Sequence, residues 1–257
     1  LTLSVGDWIP SNRNEISEDP IDVAAADAMR YVYHFLTVDS VLNGTFDANL
    51  DGTADEDHAD WAGTLDWLGV QYYFRAGVTG HGGLVPLINA TPCTQGFDFR
   101  SCIPPLDPTF CVPTMRYEYS PEGLYTILRE YGDRYPNLPL VISEAGIATE
   151  VERRRAENVV RTLEQIQRGI DEGIDIRGYY HWSLYDNFEW LEGYEPRFGL
   201  YHVDFATCER STTEGADIYG EIARARNLSD DQSASYGGIG PMTPEGETVA
   251  PGELCAF

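Results

Sequence analysis

At 257 residues, 42% hydrophobic and 12% aromatic, the chain can bury one sizeable core, so a single folded domain is the default. Its 17 basic side chains are all arginine and stand against 42 acidic ones, for a formal charge of −25. A surface of that sign excludes nucleic acid and anionic membrane as natural partners, and no apolar run reaches the roughly 18 residues that span a bilayer.

LTLSV opens the chain as a buried strand, with neither an initiator methionine nor the charged start of a signal peptide, so a piece of something longer is expected. PIDVAAADAMRYVYHFL follows as a helix from Pro20, where a first turn tolerates proline. Next comes an acidic loop, DANLDGTADEDH. Its spacing fits a calcium loop, with Asp47, Asn49 and Asp51 at positions one, three and five, the carbonyl of Thr53 at seven and Asp55 at nine. Position twelve is His58 instead of the usual Glu, so Glu56, Asp57 or Asp60 would have to substitute. A structural calcium is one expectation, hinting at export; a solvated acidic loop is the other.

DWLGVQYY (66–73) reads as the second strand, and a long insertion, about Ala76 to Met115, separates it from the helix beginning PEGLYTIL at Pro121. LPLVISE (138–144), the helix from Val151, DIRGYYHWSL (175–184) and the helix from Thr213 complete four strand-and-helix units. Such alternation predicts a parallel α/β fold over residues 1–228. An insertion after a strand lands on the C-terminal face of a β/α barrel, where active sites are built. Residues 229–257 are small, polar and rich in Pro and Gly, and read as a flexible tail. Cys93, Cys102 and Cys111 share the insertion, while Cys208 and Cys255 lie far downstream. Their spacing matches no zinc pattern. A disulfide inside the insertion is expected for an exported protein, and the odd count leaves one thiol over or bonded elsewhere.

Two segments carry chemistry. In ISEAG, Glu144 ends a buried strand ahead of a small residue and a glycine, a position at the mouth of a barrel. Alone, such a glutamate is more often a loop residue or cap. GYYHWSLYDNFEWLEGYEPRFGLYHVDF gathers Trp182, Glu189, Trp190 and Phe198 around a strand end. Aromatic faces stack on the C–H faces of a pyranose while a carboxylate takes its paired hydroxyls, which suits a sugar site. Core filling explains one tryptophan better than it explains this whole loop.

VISEAG and the DNFEW-containing segment resemble glycoside hydrolase family 1, the retaining β-glucosidase and β-galactosidase type. DWLGVQYYFR resembles the family's L-G-x-N-Y-Y segment, RYEYSPEGLYTIL its W-E-x-x-P-E-G-L segment, and the stretch from IPSNRNE to LNGTF the one that follows its fifth strand; coverage runs from about residue 1 to 226. The resemblance implies a (β/α)8 TIM barrel of which this chain holds strands five to eight. By motif position it implies Glu144 as nucleophile, Tyr73 as the tyrosine that hydrogen-bonds it, and Gln71, Trp182, Glu189, Trp190 and Phe198 as substrate-binding residues. A tyrosine donating to a carboxylate favours its charged, oriented form.

Three departures stand out. Gln71 replaces an Asn, Ala145 replaces the Asn usual after the nucleophile, and the T-x-N-E-P segment that supplies the acid is missing. Retaining hydrolysis needs two carboxyls about 5–5.5 Å apart. The nearest string, NRNEISEDP, contains Glu15 but lacks the proline and leads directly into a helix, so Glu15 is not expected to be that acid. The resemblance therefore implies a half barrel whose partner is the missing N-terminal half. Its substrate would be a β-glycoside or oligosaccharide, it would need no cofactor for catalysis, and alone it would be poorly soluble and inactive. A non-catalytic carbohydrate-binding fragment and a calcium-stabilised structural protein are the alternatives.

Overall fold

A computed structural model describes residues 1–94, 99–246, 250 and 252–255. Four parallel strands form its sheet: β1 (Thr2–Asn12), β2 (Leu68–Thr79), β3 (Leu140–Ala145) and β4 (Ile176–His181), in the spatial order β4-β3-β2-β1. β1 and β2 outrun the segments expected from sequence. A bulge between Val5 and Asp7 shifts their register by one residue, so Asp7–Pro10 pair with Arg75–Val78.

Helices α1 (Pro20–Arg30), α2 (Leu36–Asn43), α3 (Pro121–Arg134), α4 (Glu152–Asp171), α5 (Glu214–Ala225) and α6 (Asp230–Tyr236) complete the fold. Asp19 caps α1 by accepting the Ile21 amide at 2.9 Å. The one helix expected from Pro20 to Leu36 becomes α1, a π-helical turn over Tyr31–Phe35, and α2.

The main core lies between sheet and helices. Val5, Leu68, Val70, Tyr72, Leu140 and Ile142 pack with Leu124, Ile127, Leu128 and Tyr131 of α3 and Ile166 of α4. Strand alternation sends the intervening residues to the opposite face. That face is small and polar: the Thr2 and Ser143 hydroxyls meet at 2.7 Å across Gly69, whose missing Cβ leaves them the room. The sheet does not close on itself. β4 ends it on one side, and on the other β1 is paired only near its end, where Ser11 and Asn12 meet Ile16 and Glu15. A parallel barrel cut in half has this form.

The insertion folds back on the end of β2. Short strands Cys111–Val112 and Tyr117–Glu118 pair with each other, and Glu118 pairs with Arg75, whose buried guanidinium it also holds at 2.7 Å. Cys93 bonds to Cys102 inside the insertion, and Cys111 to Cys255; Cys208 is free and exposed.

One expectation needs correcting. The flexible tail is packed where it is described: a Ser229–Gln232 capping box starts α6, Met242 is buried, and Arg161 of α4 donates to the carbonyls of Gly240 and Pro241. Composition missed this because the tail is held by backbone carbonyls and one disulfide, which leave no hydrophobic period in the sequence. In the acidic loop, the side chains named as calcium ligands accept the loop's own amides. Asp47 accepts the amides of Gly52 and Asp51, Asn49 that of Asp51, Asp51 that of Thr53 and Asp55 that of Ala48. Acidic and amide side chains here satisfy the turn's own N–H groups. Among the described residues, the one group of three or more His, Cys, Asp or Glu close enough to share an ion is Asp19, Asp22 and His81. Asp22 already accepts from Thr79, Gly80, Ser17 and Asn12, tying α1 to the ends of β1 and β2.

Candidate active site

Glu144 would face the helices if β3 alternated regularly after Ile142. It does not, because Val70 pairs with Ile142 while the next residue, Gln71, pairs with Glu144, leaving Ser143 as an extra residue. The bulge turns Glu144 onto the face of Gln71 and Tyr73. There its two oxygens each take one donor: Gln71 Nε2 at 2.7 Å on Oε1 and the Tyr73 hydroxyl at 2.7 Å on Oε2. Burial, and then the bond to Glu144, push the Tyr73 hydroxyl well above the usual phenol range, so it stays protonated as a donor. Such a carboxylate is oriented by two hydrogen bonds and half-buried, with lone pairs left for a third partner.

Aromatic walls surround it. Tyr73 meets Phe198 edge-to-face at 6.0 Å, and Tyr73, Tyr117 and Trp182 pack on a buried cluster of Phe110, Val112, Ile147, Phe198 and Met242. The Trp182 amide donates to Ala145 and the Ser183 amide to Phe198, which stitches the strand end to the loop beyond it; the Trp182–Ser183 peptide is cis. Asp186 organises that loop, accepting the amides of Gly199 and Val203 and contacting Arg197 at 3.3 Å. Burial opposes its charge, yet the bonds from His202 and these amides hold its carboxyl below the usual range. Glu189 accepts from Asn187 at 3.0 Å and lies close enough for its charge to act on Tyr73 and Tyr117.

Gln71, Tyr73, Glu144, Trp182 and Phe198 thus lie together, with Glu189 at their border. Trp190 does not join them: its side chain is 81% exposed beside the fully exposed Leu191. Glu15 sits in the exposed two-residue strand on the β1 edge.

Sequence reasoning missed four residues. Tyr117 carries a buried hydroxyl with no partner next to Tyr73. His181 is enclosed behind the site, its Nδ1 at 2.8 Å from the Tyr179 hydroxyl; burial, and then the charge of Arg155, push it down to about 3. Arg155 itself is fully buried. Only Asp186, inside DNFEW, left a local signal.

A carboxylate held by two donors among aromatic rings stands at the C-terminal ends of parallel strands with helices behind them, the place where β/α-barrel proteins build their active sites. The chain matches Glycosyl hydrolase family 1 over residues 23–228 and belongs to that family. It is 33% identical over 214 residues to a β-galactosidase of Sulfolobus acidocaldarius, covering 82% of this chain and 41% of that protein. A β-galactosidase of Saccharolobus solfataricus is 35% identical over 184 residues, covering 67% of this chain and 34% of that protein. Among solved structures, a β-glycosidase from Pyrococcus horikoshii superposes with a TM-score of 0.74 at 28% identity, covering 92% of this chain and 50% of that one. The chain therefore spans half or less of the length of these relatives.

Proposed function

We propose that this chain carries the nucleophile half of a retaining β-glycosidase site acting on β-linked glucosides or galactosides. The observation that supports it is Glu144, gripped by Gln71 and Tyr73 at the mouth of β2 and β3. In that reading, Glu144 attacks the anomeric carbon as the leaving oxygen departs, forming a glycosyl ester that water then hydrolyses. Protonating the leaving oxygen and then activating water requires a second carboxyl, which the reading assigns to the other half of the barrel, strands one to four. Glu189 and Trp182 bind the sugar, and Trp190 joins them only when that half covers it. The reaction needs no cofactor.

The test is complementation. The chain alone is expected not to turn over an aryl β-glucoside, and adding the N-terminal four strand-and-helix units of a family relative should restore turnover, which Glu144→Gln abolishes. Turnover by the isolated chain that Glu144→Gln removes would overturn the split-site reading. The missing acid segment supports a second reading, carbohydrate binding without catalysis. Sugar binding with no turnover even after complementation would favour it.

A further inference from the structure

Helix α4 begins with ERRRAENVVR, a composition that suits a solvated helix end. Arg154 and Arg155 are nonetheless completely buried. Arg155 is the more telling. Its Nη1 donates to the Ile147 carbonyl at 3.1 Å, and its Nη2 donates to the carbonyls of Thr149 and, at 2.9 Å, Arg197. Ile147–Thr149 is the buried segment three to five residues beyond Glu144, and Arg197 directly precedes Phe198. A further bond, Thr149 amide to Arg197 carbonyl at 3.0 Å, joins the same two segments.

Among the described residues no carboxylate makes a direct ion pair with Arg155, although the charges of Asp186, Glu245 and Glu152 act on it from farther off, and its Nε has no partner. Burial pushes its guanidinium down to about 10, which leaves it charged at neutral pH. Proteins rarely bury an arginine without a counter-ion. Here the side chain is also closely packed: at Gly215, the second residue of α5, a Cβ would stand 2.7 Å from Arg155 Cγ, so the glycine leaves it the room.

We infer that Arg155 is a positioning residue of the site, a planar fork that locks the backbone following Glu144 to the loop carrying Phe198 and so fixes the carboxylate against its aromatic wall. The inference rests on reading Glu144 as the nucleophile. A guanidinium suits the role because it spans carbonyls from two segments in one plane, which an ammonium cannot do. A shift of about 1 Å between reacting groups costs roughly 100-fold in rate, so a clamp behind the site can control the chemistry without touching sugar. Arg155 also lies near His181, whose titration reports its charge.

The test uses the complemented protein and β-glucosyl fluoride, whose leaving group departs without protonation. Arg155→Gln and Arg155→Lys are compared with the parent for fluoride release, sugar affinity, amide exchange and the His181 titration by NMR. Both variants should lose roughly 100-fold in fluoride release, with sugar affinity changed less than threefold and faster exchange at 146–149 and 197–200. Arg155→Lys keeps the charge, so His181 should still titrate far below its ordinary value, whereas in Arg155→Gln its titration should rise. If Arg155→Gln fails to fold, the Lys variant decides the matter. Fluoride release within threefold of the parent, or unchanged exchange in both segments, overturns the inference. No fluoride release from the parent itself overturns the nucleophile reading instead, and the exchange and titration arms still judge the clamp.

Discussion

Glu144 illustrates how much one backbone irregularity can decide. Without the extra residue at Ser143, its carboxylate would sit among the apolar residues facing α3, where an unpaired charge is costly. With it, the carboxylate gains two donors. Removing one by Tyr73→Phe costs a hydrogen bond to a charged group, about 1.5–3 kcal/mol. Glycosylation of Glu144 in the complemented protein should therefore slow roughly 10- to 100-fold, measured as the fast phase with an activated aryl glycoside. His181 makes a prediction about pH. Its folded value, pushed down to about 3, lies below the ordinary 6.5, so the folded state favours the neutral ring. That preference contributes fully above about pH 6.5 and is lost as pH falls towards 3, at a limiting slope of about 1.4 kcal/mol per pH unit. Urea denaturation from pH 7 to 4 should show this slope, and His181→Gln should flatten it.

At the scale of elements, α4 departs furthest from its sequence. Three of its arginines point inward and tie loops that no strand connects: Arg154 reaches the carbonyls of Thr109, Cys111 and Thr243, Arg155 the two segments beside Glu144, and Arg161 the tail. Guanidinium groups donating to carbonyls satisfy both the buried charge and the loop backbone. The junction of β3 and β4 is held as tightly. A Cβ on Gly146 would stand 1.9 Å from the Trp182 carbonyl, and backbone cannot yield as a side-chain end can. Gly146→Ala should thus destabilise the fold by about 1–3 kcal/mol or more, read from the urea midpoint. Gly240→Ala, which meets nothing within 4 Å, is the matched control and should leave the midpoint within error.

For the whole molecule, the open sheet is the governing fact. Among the described residues, β4 and most of β1 each have one edge that pairs with no strand, and Tyr180 is exposed with Leu184, Phe188 and Trp190 nearby in sequence. Free edges and exposed rings seek partners. The chain alone is expected to associate with itself as concentration rises, despite a charge of −25 that repels copies. Mixed with the N-terminal half of a family relative, it should run as a single 1:1 species in size-exclusion chromatography with light scattering. Persistence as a monodisperse monomer without that partner would contradict the half-barrel reading.

Sequence alone determined the alternation of strands and helices, the carboxylate ending β3, the aromatic loop around it and the family they indicate. These features are local: periodicity, turn residues and contiguous motifs survive in one dimension. Only the tertiary structure decided which way Glu144 points, because alternation predicts the wrong face and a cross-strand register sets the right one. It also decided that Arg155 is buried, that the tail is held and that the acidic loop spends its side-chain oxygens on its own amides. Arg155 and the tail are held by backbone carbonyls from distant segments and the acidic loop by its own amides, and such groups are the same in every residue, so no residue type announces them in advance.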